Sequence, residues 1–336
     1  MTGCPSLALN GPGLPLREKQ PLTPESKLCF TGSVSNPPDF KKFAVRCTER
    51  FPNTYFVPQF IDDLRLMYLG IPHPDTADSR VLHPTNLNHP VFVEDKARFF
   101  INLPSMFAFN REMDFNYGTR IHGAIGNILC GVPSLLFPTD ARIRELAEYH
   151  NIPAIPASAV TPDTDLAALY DQTDFRQVNN GHAERFWHLI DFLNENGIKT
   201  IYDDRTGTPA RSLYDEKTAA TSYAQPVHSM LVRPPEEIAR RVDTAVRLQR
   251  KEIEDDSRLA TQLRDSQRKV TQLQERNKKQ AAQIQALKEE RKALKTELKA
   301  TKKPLRRLAW YQRTSTFGIG LARLKKKLRR LLGKEK

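Results

Sequence analysis

Cysteine is scarce in this sequence. Cys4, Cys29, Cys47 and Cys130 are the only four in 336 residues, none in a Cys-x-x-Cys pair and none with histidine at zinc-binding spacing. That excludes a disulfide framework and fits reduced thiols in a cytosolic protein. Long apolar runs are missing too. No stretch approaches the ~18 apolar residues of a spanning helix, and no apolar leader precedes Cys4. No cluster of ligating side chains reads as a metal site, so neither a metal nor a cofactor is expected. Residues 1–239 are short of positive charge, with 22 Lys+Arg against 28 Asp+Glu, a net of −6. Residues 240–336 hold 30 against 11, a net of +19. The basic character of the chain therefore belongs to its tail and says nothing about what the body binds.

Residues 1–27 are rich in proline and glycine and read as a loop, or as a linker cut from something longer. From 28 to 200 strand and helix patterns alternate. Short apolar runs at 28–33, 54–59, 114–119, 133–138 and 152–157 read as strands. Helical spacing follows at 38–51, 60–70, 103–113, 122–131, 139–151, 163–172 and 176–197, with 71–95 a polar loop. Asp39 is a candidate cap for the first helix, and Thr139 or Asp140 for the helix at 139–151. Such alternation predicts an α/β layered domain with parallel connections, Rossmann-like in order. Ligands bind such sheets beyond the carboxyl ends of the strands, which places Ser33, Gly118–His122 and Thr139–Arg144 on one rim.

Residues 201–240 read as a linker and 241–301 as a coiled coil. With residue 263 at heptad position a, eight of 13 a and d positions between 256 and 298 are apolar, among them Leu263, Val270, Leu287 and Leu298. Asn277 at an a position favours a parallel homodimer in register. A proline ends the pattern at Pro304. Beyond it, 304–336 forms a basic amphipathic helix, with Leu321, Leu324, Leu328, Leu331 and Leu332 on one face and Arg323, Lys325, Lys326, Lys327, Arg329 and Arg330 on the other. That composition suits an anionic membrane surface, with a plain solvated tail as the alternative. Nucleic acid attracts the same charges, but no nucleic-acid motif accompanies them.

The stretch that carries chemistry is GTRIHG, residues 118–123, between a strand and an apolar helix. Gly118 and Gly123 permit close backbone approach. Thr119 and Ile121 complete the turn, and amide groups at the helix start favour an anion. Arg120 offers a fork of donors to phosphate or carboxylate. His122 can hand a proton to a leaving phosphate. Asp140, Arg142 and Arg144 are weaker candidates at the next helix start, where a cap and surface ion pairs are the plainer roles. Asn180, His182 and Arg185 belong to a helix face read as solvated.

The stretch FFINLPSMFAFNREMDFNYGTRIHGAIGNILCGVPSLLFPTDARIRELAEYHNIP, residues 99–153, resembles the polysaccharide pyruvyl transferase family. The match combines the GTRIHG turn, the GVP break and the DARIRELAEYHNIP helix, and TGCPSLALNG at residues 2–11 looks like a segment that such proteins carry near mid-chain. The resemblance covers residues 2–200. It implies a glycosyltransferase-like fold of two Rossmann-type domains, a GT-B-like fold, of which this chain would be the C-terminal, donor-binding half. It also implies transfer of the pyruvyl unit of phosphoenolpyruvate to a sugar as a ketal, at the cytoplasmic face of a membrane and on a sugar or lipid-linked oligosaccharide acceptor. Carried over, Arg120 and His122 contact the donor, with His122 as general acid, and Gly118, Thr119, Ile121, Gly123, Asp140 and Arg142 surround it. The departure is the first α/β domain, expected ahead of residue 2 in such a family: the start is mis-chosen, another subunit supplies that half, or activity is lost. A nucleotide-sugar glycosyltransferase, or a non-catalytic coiled-coil scaffold, are the rival functions.

Overall fold

The computed structural model describes residues 2–33, 36–73, 84–202, 213–314 and 316–331. The chain divides into two units, Met1–Arg250 and Lys251–Lys336.

The first unit is built on a parallel sheet of four strands, β1 (Leu28–Thr31), β2 (Thr54–Phe56), β3 (Phe115–Gly118) and β4 (Ser134–Leu136), in the order β2-β1-β3-β4. All three pairings are parallel, with Leu28 opposite both Thr54 and Phe115, and Asn116 opposite Ser134. The α/β class and the parallel connections follow the sequence pattern. Residues 152–157 contribute only a bridge, Leu136 to Ala154, rather than a fifth strand. Pro153 and Pro156 flank that bridge and lack the N–H groups a ladder needs.

Both faces of the sheet are covered, as parallel sheets require. On one face Phe30, Phe115, Tyr117, Leu135 and Phe137 pack against Phe40, Phe43 and Cys47 of α1 (Pro38–Arg50). Asp39 sits in the first turn of α1, while Pro37 holds the cap position. The other face takes Ile121, Ala124, Ile125 and Ile128 of α5 (Ile121–Leu129) and Ile143 and Ala147 of α6 (Ala141–Tyr149). Between lie α2 (Ile61–Leu69), α3 (Pro90–Val93) and α4 (Leu103–Asn110), so the described part of the segment read as loop at 71–95 carries a short helix. Asn102 caps α4, its side chain accepting from Ser105 N–H at 2.9 Å. The expected helix at 163–172 is α7 (Leu166–Gln172), capped by Asp165. The long amphipathic stretch is split: a 3-10 turn at Phe175–Asn179, a left-handed Gly181, then α8 (His182–Glu195).

Residues 2–27 are not a free loop. A 3-10 helix at Pro5–Asn10 buries Leu7, and Asn10 donates to the Leu129 carbonyl at 2.8 Å. Arg17 donates to the carbonyls of Gly131, Arg111 and Met113. The expected linker is also fastened. It carries α9 (Leu213–Thr218), while 203–212 lie outside the described residues. Val227 bridges Phe99, and the His228 imidazole is 2.9 Å from Asp95. Arg241 lies 4.0 Å over the Tyr68 ring and Ala245 is buried with Leu69 and Ile71. The boundary expected at 241 is therefore misplaced: α10 (Pro235–Thr314) begins earlier, and its residues up to Arg250 belong to the first unit.

In the second unit the predicted break at Pro304 does not occur, because α10 runs through it to Thr314. Strong helix formers flank the proline on both sides, and Ala300, whose carbonyl loses its partner, is exposed to water. Leu263, Val270, Leu287 and Leu298 are each more than half exposed in the single chain. The basic C-terminal helix is α11 (Thr316–Leu331), with Leu321, Leu324 and Leu328 exposed. Leu332 and the side chain of Leu331 fall outside the described residues. No helix among the described residues is long and apolar enough to cross a membrane.

Candidate functional site

The sheet order fixes where a ligand belongs. The chain leaves β1 toward β2 on one side and leaves β3 toward β4 on the other, so the connections diverge between β1 and β3. Beyond the carboxyl ends of these two strands lies the crevice in which open α/β sheets bind ligands. Thr31 ends β1 and Gly118 ends β3, opposite each other in the register.

The turn that follows β3 is pressed onto Thr31. Its carbonyl accepts from Thr119 N–H at 2.9 Å and from Arg120 N–H at 3.2 Å. Gly118 has φ +155°, and a Cβ there would lie 2.2 Å from the Thr31 carbonyl oxygen. At Gly123 a Cβ would meet the Thr31 side chain at 2.6 Å. Both glycines are thus required by the approach of the turn and of α5 to β1. Thr119 is buried and its hydroxyl donates to the Asn36 side-chain oxygen at 2.8 Å, tying the turn to the connection between β1 and α1. With two amides spent on Thr31, the anion-binding capacity of this helix start is left to the first residues of α5. Ile121 opens that helix and is buried in the core; Arg120 provides it no side-chain cap.

Arg120 stands half-buried at the mouth, its guanidinium 4.1 Å from the centre of the Phe60 ring. This cation–π contact holds the guanidinium at the mouth of the rim. Partial desolvation lowers its pKa, countered by the Asp63 carboxylate, lowered again by Arg142 and raised by Asp140. His122, exposed on the first turn of α5, has its pKa lowered by desolvation first, then by Arg142 and by Arg120. Arg120, His122 and Arg142 therefore interact around the rim, where desolvation first and the two guanidiniums next disfavour the charged form of the imidazole.

Asp140 is close to this group but already employed: it caps α6, accepting from Ile143 N–H at 2.8 Å. Arg144 lies exposed on the same helix, and Ser33 is buried at the end of β1. The face of α8 is not solvated as expected. His182 is buried with Nε2 3.1 Å from the Gly11 carbonyl, and Arg185 donates to the carbonyls of His150, Val178 and Asn180. His182 braces the N-terminal segment, and Arg185 ties α8 to the chain at His150, Val178 and Asn180. Cys29, Cys47 and Cys130 are buried free thiols whose pKa burial raises, to about 12 for Cys29 and about 11 for Cys130, so none is a poised nucleophile.

Phe60, Asp63 and Asn36 were not legible as site residues. Phe60 and Asp63 open the helix after β2, the neighbour of β1, and only the sheet order brings that helix start to Arg120.

No protein-family model matches this sequence, and no curated protein matches it. Among solved structures it is similar to a "glycotransferase of kitacinnamycin", at 18% identity over 53% of this chain and 45% of that one, with a TM-score of 0.27. It is also similar to the glycosyltransferase SnogD from Streptomyces nogalater, at 15% identity over 50% of this chain and 42% of that one, again with a TM-score of 0.27. The chain thus spans less than half the length of either, and at these scores the similarity bears on neither mechanism nor substrate.

Proposed function

We infer that the first unit is a transferase domain that holds an anionic donor at the β1–β3 rim, and that the donor is phosphoenolpyruvate, whose pyruvyl unit passes to a sugar of a cell-surface polysaccharide. The observation that carries this reading is the gathering of Arg120, His122 and Arg142 at the point where the sheet's connections diverge. The resemblance of residues 99–153 to pyruvyl transferases supplies the identity of the donor. Arg120, held over the Phe60 ring, offers its guanidinium donors to the carboxylate or phosphate. A bound anion neutralises the local repulsion, so His122 gains a proton on binding. It then passes that proton to the phosphate as the C2–O bond breaks and inorganic phosphate departs. Two sugar hydroxyls take the C2 carbon as the ketal, and their protons balance the new methyl group and the phosphate. The exposed apolar stripe of α10 pairs two chains in parallel over 256–298, and α11 with its basic face holds them at an anionic membrane surface.

Calorimetric titration with phosphoenolpyruvate tests the donor. Losing a charge-assisted pair of bonds costs about 2–3 kcal/mol, so Arg120→Ala is expected to weaken binding by about 30- to 160-fold. Undiminished affinity in that variant removes Arg120 from the site. Binding of a nucleotide sugar, with none of phosphoenolpyruvate, replaces the donor by that of a glycosyltransferase.

A further inference from the structure

Beside the cationic rim lies a cavity of about 460 Å³ that the donor reading leaves unused. It opens between the Pro5–Asn10 turn, the chain after β2, α4 and α5. Its walls are mostly apolar, with Leu9, Phe100, Leu103, Phe107 and Ile125 among the lining residues. The polar side chains that reach it are Ser6, Gln59 and His122. Leu9 and Leu103 remain 56% and 54% exposed at its mouth, an arrangement that costs solvation free energy unless something apolar covers them. Gly126 forms part of the wall, and a Cβ there would come 3.0 Å from Met106 Cε, so the glycine keeps this side of α5 open.

The volume lies within the range of small-molecule sites, which are concave, mostly apolar and carry a few polar groups that orient the ligand. The cavity is too apolar to be the seat of a sugar or a carboxylate. What it shares with the rim is His122, which lines the cavity and interacts with Arg120 and Arg142. A molecule filling the cavity therefore ends at the side chain assigned to proton transfer.

We propose that this cavity is an acceptor subsite that takes the apolar aglycone of a glycoside, an alkyl or isoprenyl chain, and presents the attached sugar to His122. The proposal rests on the transferase reading for the meaning of the sugar end, and on the cavity alone for the apolar end. Among the described residues, the cavity wall offers an aliphatic chain contacts along α4 and α5, and the sugar meets polar groups at His122 and Gln59.

The test is a series of methyl, butyl and hexyl glucosides, titrated into the full-length protein below their micelle concentrations, with phosphoenolpyruvate titrated in parallel. Each buried methylene is expected to raise affinity about two- to fourfold, until the cavity is full. Leu103→Glu and Leu9→Glu, both at exposed positions that do not disturb the core, are expected to flatten the series. Equal affinity for the methyl and hexyl compounds overturns the proposal. So does a chain-length dependence that survives in both variants, since it then arises elsewhere, as on the exposed stripe of α10. Normal phosphoenolpyruvate binding with a flat series removes the subsite and keeps the donor. A steep series without phosphoenolpyruvate binding removes the donor and keeps the subsite.

Discussion

Replacing Gly118 by alanine tests whether the rim is built by close approach to β1. The new Cβ would stand 2.2 Å from the Thr31 carbonyl oxygen and 2.6 Å from its hydroxyl, far inside van der Waals contact. Overpacking of this kind costs about 1–3 kcal/mol, and a side chain at a φ of +155° adds about 1–3 kcal/mol of backbone strain. Relief requires β3 to draw away from β1, which weakens the bonds from Thr119 and Arg120 to Thr31, each worth about 1 kcal/mol. The expected loss is about 3–5 kcal/mol. Urea unfolding, followed by Trp187 fluorescence in a Trp310→Phe background, reads it, because Trp187 packs edge-on against Phe186 and Tyr202 in the first unit. With a slope of about 3 kcal/mol/M, the midpoint should fall by more than about 1 M. Gly13→Ala, with open space around the new Cβ, is the control and should shift stability by less than about 0.5 kcal/mol. Equal midpoints for the two variants would refute the packing argument, and with it the placement of Arg120.

Acid should loosen the N-terminal segment. His150 Nε2 accepts from Cys4 N–H at 2.8 Å, and burial, then Arg185 and His182, lowers its pKa to about 4. The unfolded chain therefore binds a proton, near an ordinary value of about 6.5, that the folded one refuses. The contribution is present above pH 6.5 and lost as pH falls to about 4, on the order of 3 kcal/mol. Thermal melts across that window should slope less in His150→Gln; identical slopes would refute the assignment. Sedimentation should show a dimer that Leu287→Asp dissociates, and a monomeric parent protein would dispose of the coiled coil. Charge reversal of Lys325, Lys326 and Lys327 to glutamate should abolish sedimentation with anionic liposomes, each lysine contributing about 1 kcal/mol at such a surface. Retained binding would refute the role given to α11.

What the sequence determined by itself is what local physics controls. Apolar runs of strand length alternating with helical spacing specified the α/β order, because periodicity and glycine or proline punctuation act within a few residues. The cap at Asp140 and the two glycines of the GTRIHG turn were readable for the same reason. The tertiary structure alone decided the rest. The order β2-β1-β3-β4 sets Thr31 beside Gly118 across 87 positions of sequence and carries Phe60 and Asp63 to Arg120. The docking of residues 2–27 on His150 and His182, and the apolar cavity beside His122, depend on surfaces that exist only once α5 and α6 have packed on the sheet. Pro304 shows the converse: a residue that locally disfavours helix is overruled where neighbours on both sides favour it and water can satisfy the freed carbonyl. Contacts between distant segments carry no periodicity, and their energies are set by complementarity of shape and charge that no single segment contains.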